Sequence, residues 1–141
     1  MINCYLIIWA GLINFSYAKE INWELLKTLS LDQKTKELIA PVELKKILGL
    51  EISIKGFMMP LDYDSKAVSE FLFMPYIPAC MHIPPPPANQ LVLVKMKKGS
   101  TVVPSFYPVE LSGKISIDTN KDLESSYKME GLNLKELKEK K

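Results

Sequence analysis

From residue 50 onward, apolar and polar residues alternate in short runs separated by glycine, proline and charged turns. That period of two is the signature of half-buried strands. Glu51-Ile52-Ser53-Ile54-Lys55-Gly56 alternates cleanly. The alternation slips at Gly56 into Phe57-Met58-Met59-Pro60-Leu61, which predicts a bulge or sharp bend at the glycine. Asp62-Tyr63-Asp64-Ser65 reads as a turn. Phe71-Leu72-Phe73-Met74-Pro75-Tyr76-Ile77 reads as a second strand, interrupted at Pro75 and so placed at an edge or bulge there. Gln90-Leu91-Val92-Leu93-Val94-Lys95-Met96 is a third and buried one, ended by Lys97-Lys98-Gly99-Ser100. Residues 107–117 alternate again with a bend at Gly113, and residues 126–132 form a shorter fifth strand. Five strands with glycine bends in one run predict a mainly β fold, a small five-stranded antiparallel OB-like barrel; a β-sandwich is the alternative.

Ahead of the strands, residues 19–49 read as a helical or irregular segment. Asn22 is a helix cap for Trp23, Leu25 and Leu26, and Trp23 is a plug for the core. Residues 32–38 are charged and solvated. Pro41 suits the first turn of a second helix over 42–48, which Gly49 ends. The expected organisation is a leader over 1–18, the helical segment over 19–49, the β domain over 50–134 and a charged tail over 135–141.

Composition and charge narrow the function. The chain has 141 residues, enough for one domain, and 48% hydrophobic content supports a core. Its formal charge is +2. Every strongly basic side chain is lysine, so the bidentate guanidinium contacts of base readout are absent and nucleic acid is not an expected partner. Residues 1–18 carry no charged side chain. An apolar run over 5–13 is followed by small residues, Ser16 and Ala18, at the −3 and −1 positions of a signal-peptidase site. Export to the periplasm follows as the expectation, with no integral membrane segment after cleavage; a retained anchor is the rival. Cys4 leaves with the leader, and Cys80 then remains as a single thiol, which in an oxidising compartment has no internal disulfide partner.

The chemistry of the chain concentrates in Pro78-Ala79-Cys80-Met81-His82-Ile83-Pro84-Pro85-Pro86-Pro87-Ala88-Asn89-Gln90, which holds its one histidine. Thiolate and imidazole are the side chains that bind borderline and soft transition metals best. Four prolines fix φ and remove backbone donors, so the segment is stiff and cannot be helix or central strand. Pro84, Pro85, Pro86, Asn89 and Gln90 are expected to support the loop, the two amides by satisfying backbone groups that the prolines leave unpaired.

These residues resemble a bacterial family of exported proteins of unknown function. The shared motifs are a G-(F/Y)-(M/V)-x-P-L strand at Gly56 to Leu61, an F-L-x-x-P-Y strand at Phe71 to Tyr76 and a C-x-H-x-P-P-P-x-N-Q loop, which Cys80 to Gln90 resembles with one residue more between the prolines and Asn89. The Trp23-Glu24-x-Leu segment is similar too, and the likeness spans residues 20–131. It implies a periplasmic location, neighbourhood to components of ATP-driven transport systems and a link to metal handling. It implies no settled activity.

Three readings of the loop follow. Cys80 and His82 can hold one Zn or Cu ion if the loop turns between them; two ligands do not close a zinc tetrahedron, so Met81, Asp62, a partner or water would complete the set. The same pair can act as a thiolate–imidazolium nucleophile in a thiol-dependent enzyme, with no resolving cysteine and no identified oxyanion hole. Or the proline segment, beside Tyr76, Ile77 and Met81, is a protein-docking element. The first is the expectation: a non-enzymatic, periplasmic accessory protein that binds a transition metal and works with a membrane transporter component or another periplasmic protein.

Overall fold

A computed structural model describes residues 17–78, 80–119 and 124–138. The leader up to residue 16, with Cys4, lies outside them. Elements are numbered in chain order: β1 (Lys19–Glu20), α1 (Trp23–Leu26), β2 (Ser30–Leu31), β3 (Leu38–Ile39), α2 (Val42–Lys45), β4 (Glu51–Pro60), β5 (Glu70–Met74), β6 (Val92–Met96), β7 (Val109–Ile117) and β8 (Tyr127–Glu136). A 3-10 turn, Ala88–Gln90, precedes β6.

The main sheet runs β1-β4-β5-β6-β8-β7, and β7 pairs back onto β4. The five long strands therefore close into a small barrel with β1 added on the edge of β4. Counting β4 as the barrel's first strand, the order around it is 1-2-3-5-4, the Greek-key closure of the OB type. One expectation needs correcting. The barrel is mixed, because β6 and β8 run parallel while its other pairs are antiparallel. The reason is topological: directions cannot alternate all the way round a closed ring with an odd number of strands.

Gly56 is where the barrel turns its corner. β4 pairs with β7 from Glu51 to Gly56 and with β5 from Phe57 to Pro60, so the strand changes partner at the glycine. A Cβ there would stand 2.6 Å from the Met74 carbonyl and 3.0 Å from the Phe73 ring, so no side chain fits. Gly113 marks the second irregularity, a register shift between Ser112 and Gly113 against β8. Pairing on β8 continues to Glu136, four residues beyond the expected strand end, with Lys135 opposite Glu110 and Glu136 opposite Val109.

Helix in the segment before the barrel is confined to two single turns. Asn22 caps the first as expected, its Oδ1 accepting from the Leu25 amide at 3.1 Å. Between the two turns, β2 and β3 form a small exposed hairpin, with Asp32 Oδ1 accepting from the Lys34 and Thr35 amides at its tip. Leu26, Leu29, Leu44 and Ile47 point down into the barrel core with Ile52, Ile54, Phe71, Phe73, Val92, Val94, Leu111, Ile115 and Tyr127. Trp23 is half-buried. Its ring lies 5.6 Å from that of Phe73 and its Nε1 donates to the Lys55 carbonyl at 2.7 Å, so it pins the segment to the barrel.

On the solvent side, the register lines up Glu70, Lys95, Glu130, Lys114 and Glu51 on consecutive strands. Each charge thus has opposite neighbours across the ladder, an arrangement that favours this register over slipped ones. Glu70 and Lys95 form an ion pair at 3.1 Å.

Candidate functional site

The proline-rich loop joins β5 to β6, braced by a bond of its own and held to the body at Ala88 and Asn89. Tyr76, just past the end of β5, donates its hydroxyl to the Pro84 carbonyl at 3.2 Å. Pro86 is buried while Pro84, Pro85 and Pro87 are exposed. The Ala88 carbonyl accepts from the Ser126 amide at 2.9 Å, next to the start of β8. Asn89 then donates Nδ2 to the Lys27 and Leu29 carbonyls at 3.1 and 3.2 Å, satisfying backbone acceptors where α1 has ended. Pro87 precedes the 3-10 turn, and its carbonyl accepts from the Gln90 amide at 2.8 Å. Asn89 is thus a brace to the N-terminal segment, and Gln90 is half-buried in the turn that delivers the chain to β6.

A second tether secures the surface on which Asn89 rests. Tyr127, fully buried, donates its hydroxyl to the Leu26 carbonyl at 2.7 Å across a sequence separation of 101 residues. Burial pushes its phenol well above the ordinary tyrosine range. Leu26, Lys27 and Leu29 are therefore held from two directions, by β8 and by the loop.

Beyond these anchors the loop reaches its chemistry at a tight turn. The Ile83 amide donates to the Cys80 carbonyl at 3.0 Å, closing a four-residue turn with Met81 and His82 at its corners. The backbone between thiol and imidazole is turned, not extended as in a strand. Cys80 is a free thiol and exposed, and Met81 and His82 are exposed as well. Met81 has 99% of its surface in solvent. Neither the Cys80 thiol nor the His82 ring makes a hydrogen bond among the described residues.

Asp62 is placed differently. Its carboxylate accepts from the Asp64 amide at 3.1 Å and from the Ser65 hydroxyl, within the turn after β4. The Ser65 hydrogen bond first, then the Asp64 amide, hold it below the usual carboxylate range. No group of three His, Cys, Asp or Glu side chains converges among the described residues, so Asp62 does not join Cys80 and His82. Sequence reasoning missed the Tyr76 tether and the Tyr127–Leu26 bond. The first sits eight residues from its acceptor, in reach of a local search; the second depends on barrel closure.

A broad open groove lies elsewhere. It has a volume of about 1160 Å³ and crosses the outer face over Leu72, Leu93, Lys128 and Ser116, and no residue of 75–90 lines it. Four of its charged residues, Glu70, Lys95, Glu130 and Lys114, belong to the cross-strand row already described, and Asp118, Glu124 and Lys128 line it as well. No helix among the described residues is long and apolar enough to cross a membrane.

The molecule is thus a small OB-type barrel carrying a tethered proline loop. The chain belongs to the family described as "Protein of unknown function (DUF3299)", whose pattern it matches over residues 13–136. That agrees with the resemblance to an uncharacterised family. The crystal structure of a DUF3299 family protein from Pseudomonas aeruginosa PAO1 superposes with a TM-score of 0.64 at 23% identity, covering 89% of this chain and 99% of that one, a likeness of fold. No curated protein matches.

Proposed function

We propose that this is an exported accessory protein that binds a transition metal at the Cys80–His82 turn and hands it to, or receives it from, a membrane transport component. One observation carries the metal reading: a thiol and an imidazole stand exposed on a single closed turn of a loop that is cross-braced by Tyr76 on Pro84 and held by Ala88 beside β8 and by Asn89 on the N-terminal segment. A braced loop lowers the entropy lost when donors are ordered around an ion. Two strong donors and an open side suit an ion shared with a partner, since a closed structural zinc site takes four. The uncharged stretch over 1–18, ending in Ser16 and Ala18, supports export. The transporter as partner rests on the family resemblance alone.

The thiol-enzyme alternative has less support, because among the described residues no hydrogen bond joins Cys80 to His82 and no third group orients the ring. The test is competition with a weak chelator. Untagged wild-type protein, Cys80→Ser and His82→Ala are each offered zinc and copper. Near-stoichiometric retention by wild type, lost in both variants, supports the reading. Equal, low retention by all three removes it.

A further inference from the structure

Building on the metal-binding reading, we infer that the ion is Cu(I) and that the Met81 thioether is its third donor. The first ground is where the methionines lie. Met58, Met74, Met96 and Met129 are buried at 8% exposure or less, and Met59 is half-buried. Those serve packing, the usual use of methionine. Met81 packs against nothing, with 99% of its surface in water at a corner of the turn between Cys80 and His82. The second ground is the donors that are missing. Zinc prefers thiolate, imidazole and carboxylate, typically four in a structural site. Among the described residues no carboxylate completes a group of three with Cys80 and His82, and Asp62 is engaged in its own turn. Cu(I) is selected by soft thiolate and thioether sulfur, accepts imidazole, and is satisfied by two or three ligands. The turn offers one of each.

On binding, the Cys80 S–H bond breaks, a sulfur–copper bond forms and the proton goes to solvent. The copper stays in the +1 state, so no oxidant or reductant enters. Charge balances as well, since one thiolate neutralises one monovalent ion. The exposed turn leaves that ion open to an incoming soft donor, which suits transfer rather than storage.

The experiment is anaerobic. Full-length protein without a histidine tag is titrated with Cu(I) against bicinchoninate, and separately with Zn(II) against a chromophoric chelator, alongside Met81→Leu and Cys80→Ser. Because Met81 is solvent-exposed, the leucine variant folds as wild type does, which unchanged thermal unfolding verifies. The expected result is one Cu(I) per chain in wild type, a weakening of roughly tenfold or more in Met81→Leu, and little Zn(II) taken from its chelator by either. Tighter zinc than copper binding, or Cu(I) affinity indifferent to Met81→Leu, overturns the copper assignment and leaves the metal site standing. If wild type competes no better than Cys80→Ser for either ion, the metal site itself falls, and this inference with it.

Discussion

Asn89 is the joint between the loop and the N-terminal segment, and its replacement measures what that joint contributes. Its amide donates to two carbonyls, Lys27 at 3.1 Å and Leu29 at 3.2 Å. A net ~1 kcal/mol per hydrogen bond gives about 2 kcal/mol for the pair, reduced because the Lys27 contact is open to water. Asn89→Ala should therefore cost about 1–2 kcal/mol, or roughly 4–8 °C in melting temperature. Asn89→Asp is the sharper probe, since it keeps the shape and reverses the polarity. At neutral pH its carboxylate faces two carbonyl oxygens, so the loss should equal or exceed that of alanine. In the folded state the introduced carboxyl binds its proton more tightly than in the unfolded chain, where its pKa is about 3.9. Protons bound in excess by the native state make stability rise as pH falls. The deficit of Asn89→Asp relative to wild type should therefore shrink in acid, while that of Asn89→Ala stays constant. Chemical denaturation at several pH values reads this directly, and hydrogen exchange should show faster opening of the amides near residues 27–30 and 88–91. If Asn89→Asp is as stable as wild type at neutral pH, the side chain is not the donor described and the loop is held by something else.

Three further results are expected. Gly56→Ala should lose about 1–3 kcal/mol in denaturation midpoint, because the added methyl meets the Met74 backbone carbonyl at the barrel corner and cannot be relieved by a rotamer change; a neutral outcome would mean the corner is looser than the packing indicates. Tyr127→Phe should cost about 1–3 kcal/mol near neutrality by orphaning the Leu26 carbonyl. Since burial raises the Tyr127 pKa, its contribution is full below the unfolded value of about 10 and is lost as pH rises above it; wild type should therefore lose stability faster than the variant in alkali, and parallel pH profiles would refute the tether. Glu130→Lys places like charges against both Lys95 and Lys114, so a loss on the order of 1 kcal/mol, relieved by salt, should appear in urea unfolding at low and high ionic strength; no salt dependence would mean the row is inert.

Much of the barrel was legible because strand signals are local. The period of two at Glu51 to Lys55, the slip at Gly56 and the bend at Gly113 each mark a feature that the structure contains. The turn at Asp62 and the cap at Asn22 were equally local. What escaped was non-local. An all-antiparallel ring of five is ruled out by parity, a constraint that belongs to the closed assembly and to no single strand, so the parallel β6–β8 pair follows only from closure. The charge row across five strands is invisible until register is set, since Glu51 and Glu130 are distant in sequence. The hairpin of β2 and β3 was read as solvated charge because its tip is polar and its strands are two residues each. At the site, proline content announced stiffness, and the pairing of cysteine with histidine announced chemistry. Exposure was not announced. Met58, Met74, Met96 and Met129 are buried while Met81 is open to solvent, a difference that no local pattern in the sequence carries. The turn that carries Cys80, Met81 and His82 is closed by a single backbone bond from Ile83, which sequence spacing alone does not fix.

The most direct measurement is elemental analysis of the protein isolated from cells without a histidine tag, beside Cys80→Ser prepared in the same way. Close to one equivalent of copper or zinc in wild type and none in the variant is the predicted result. Metal at trace level in both, with the thiol still reduced and the turn intact, would contradict the central claim.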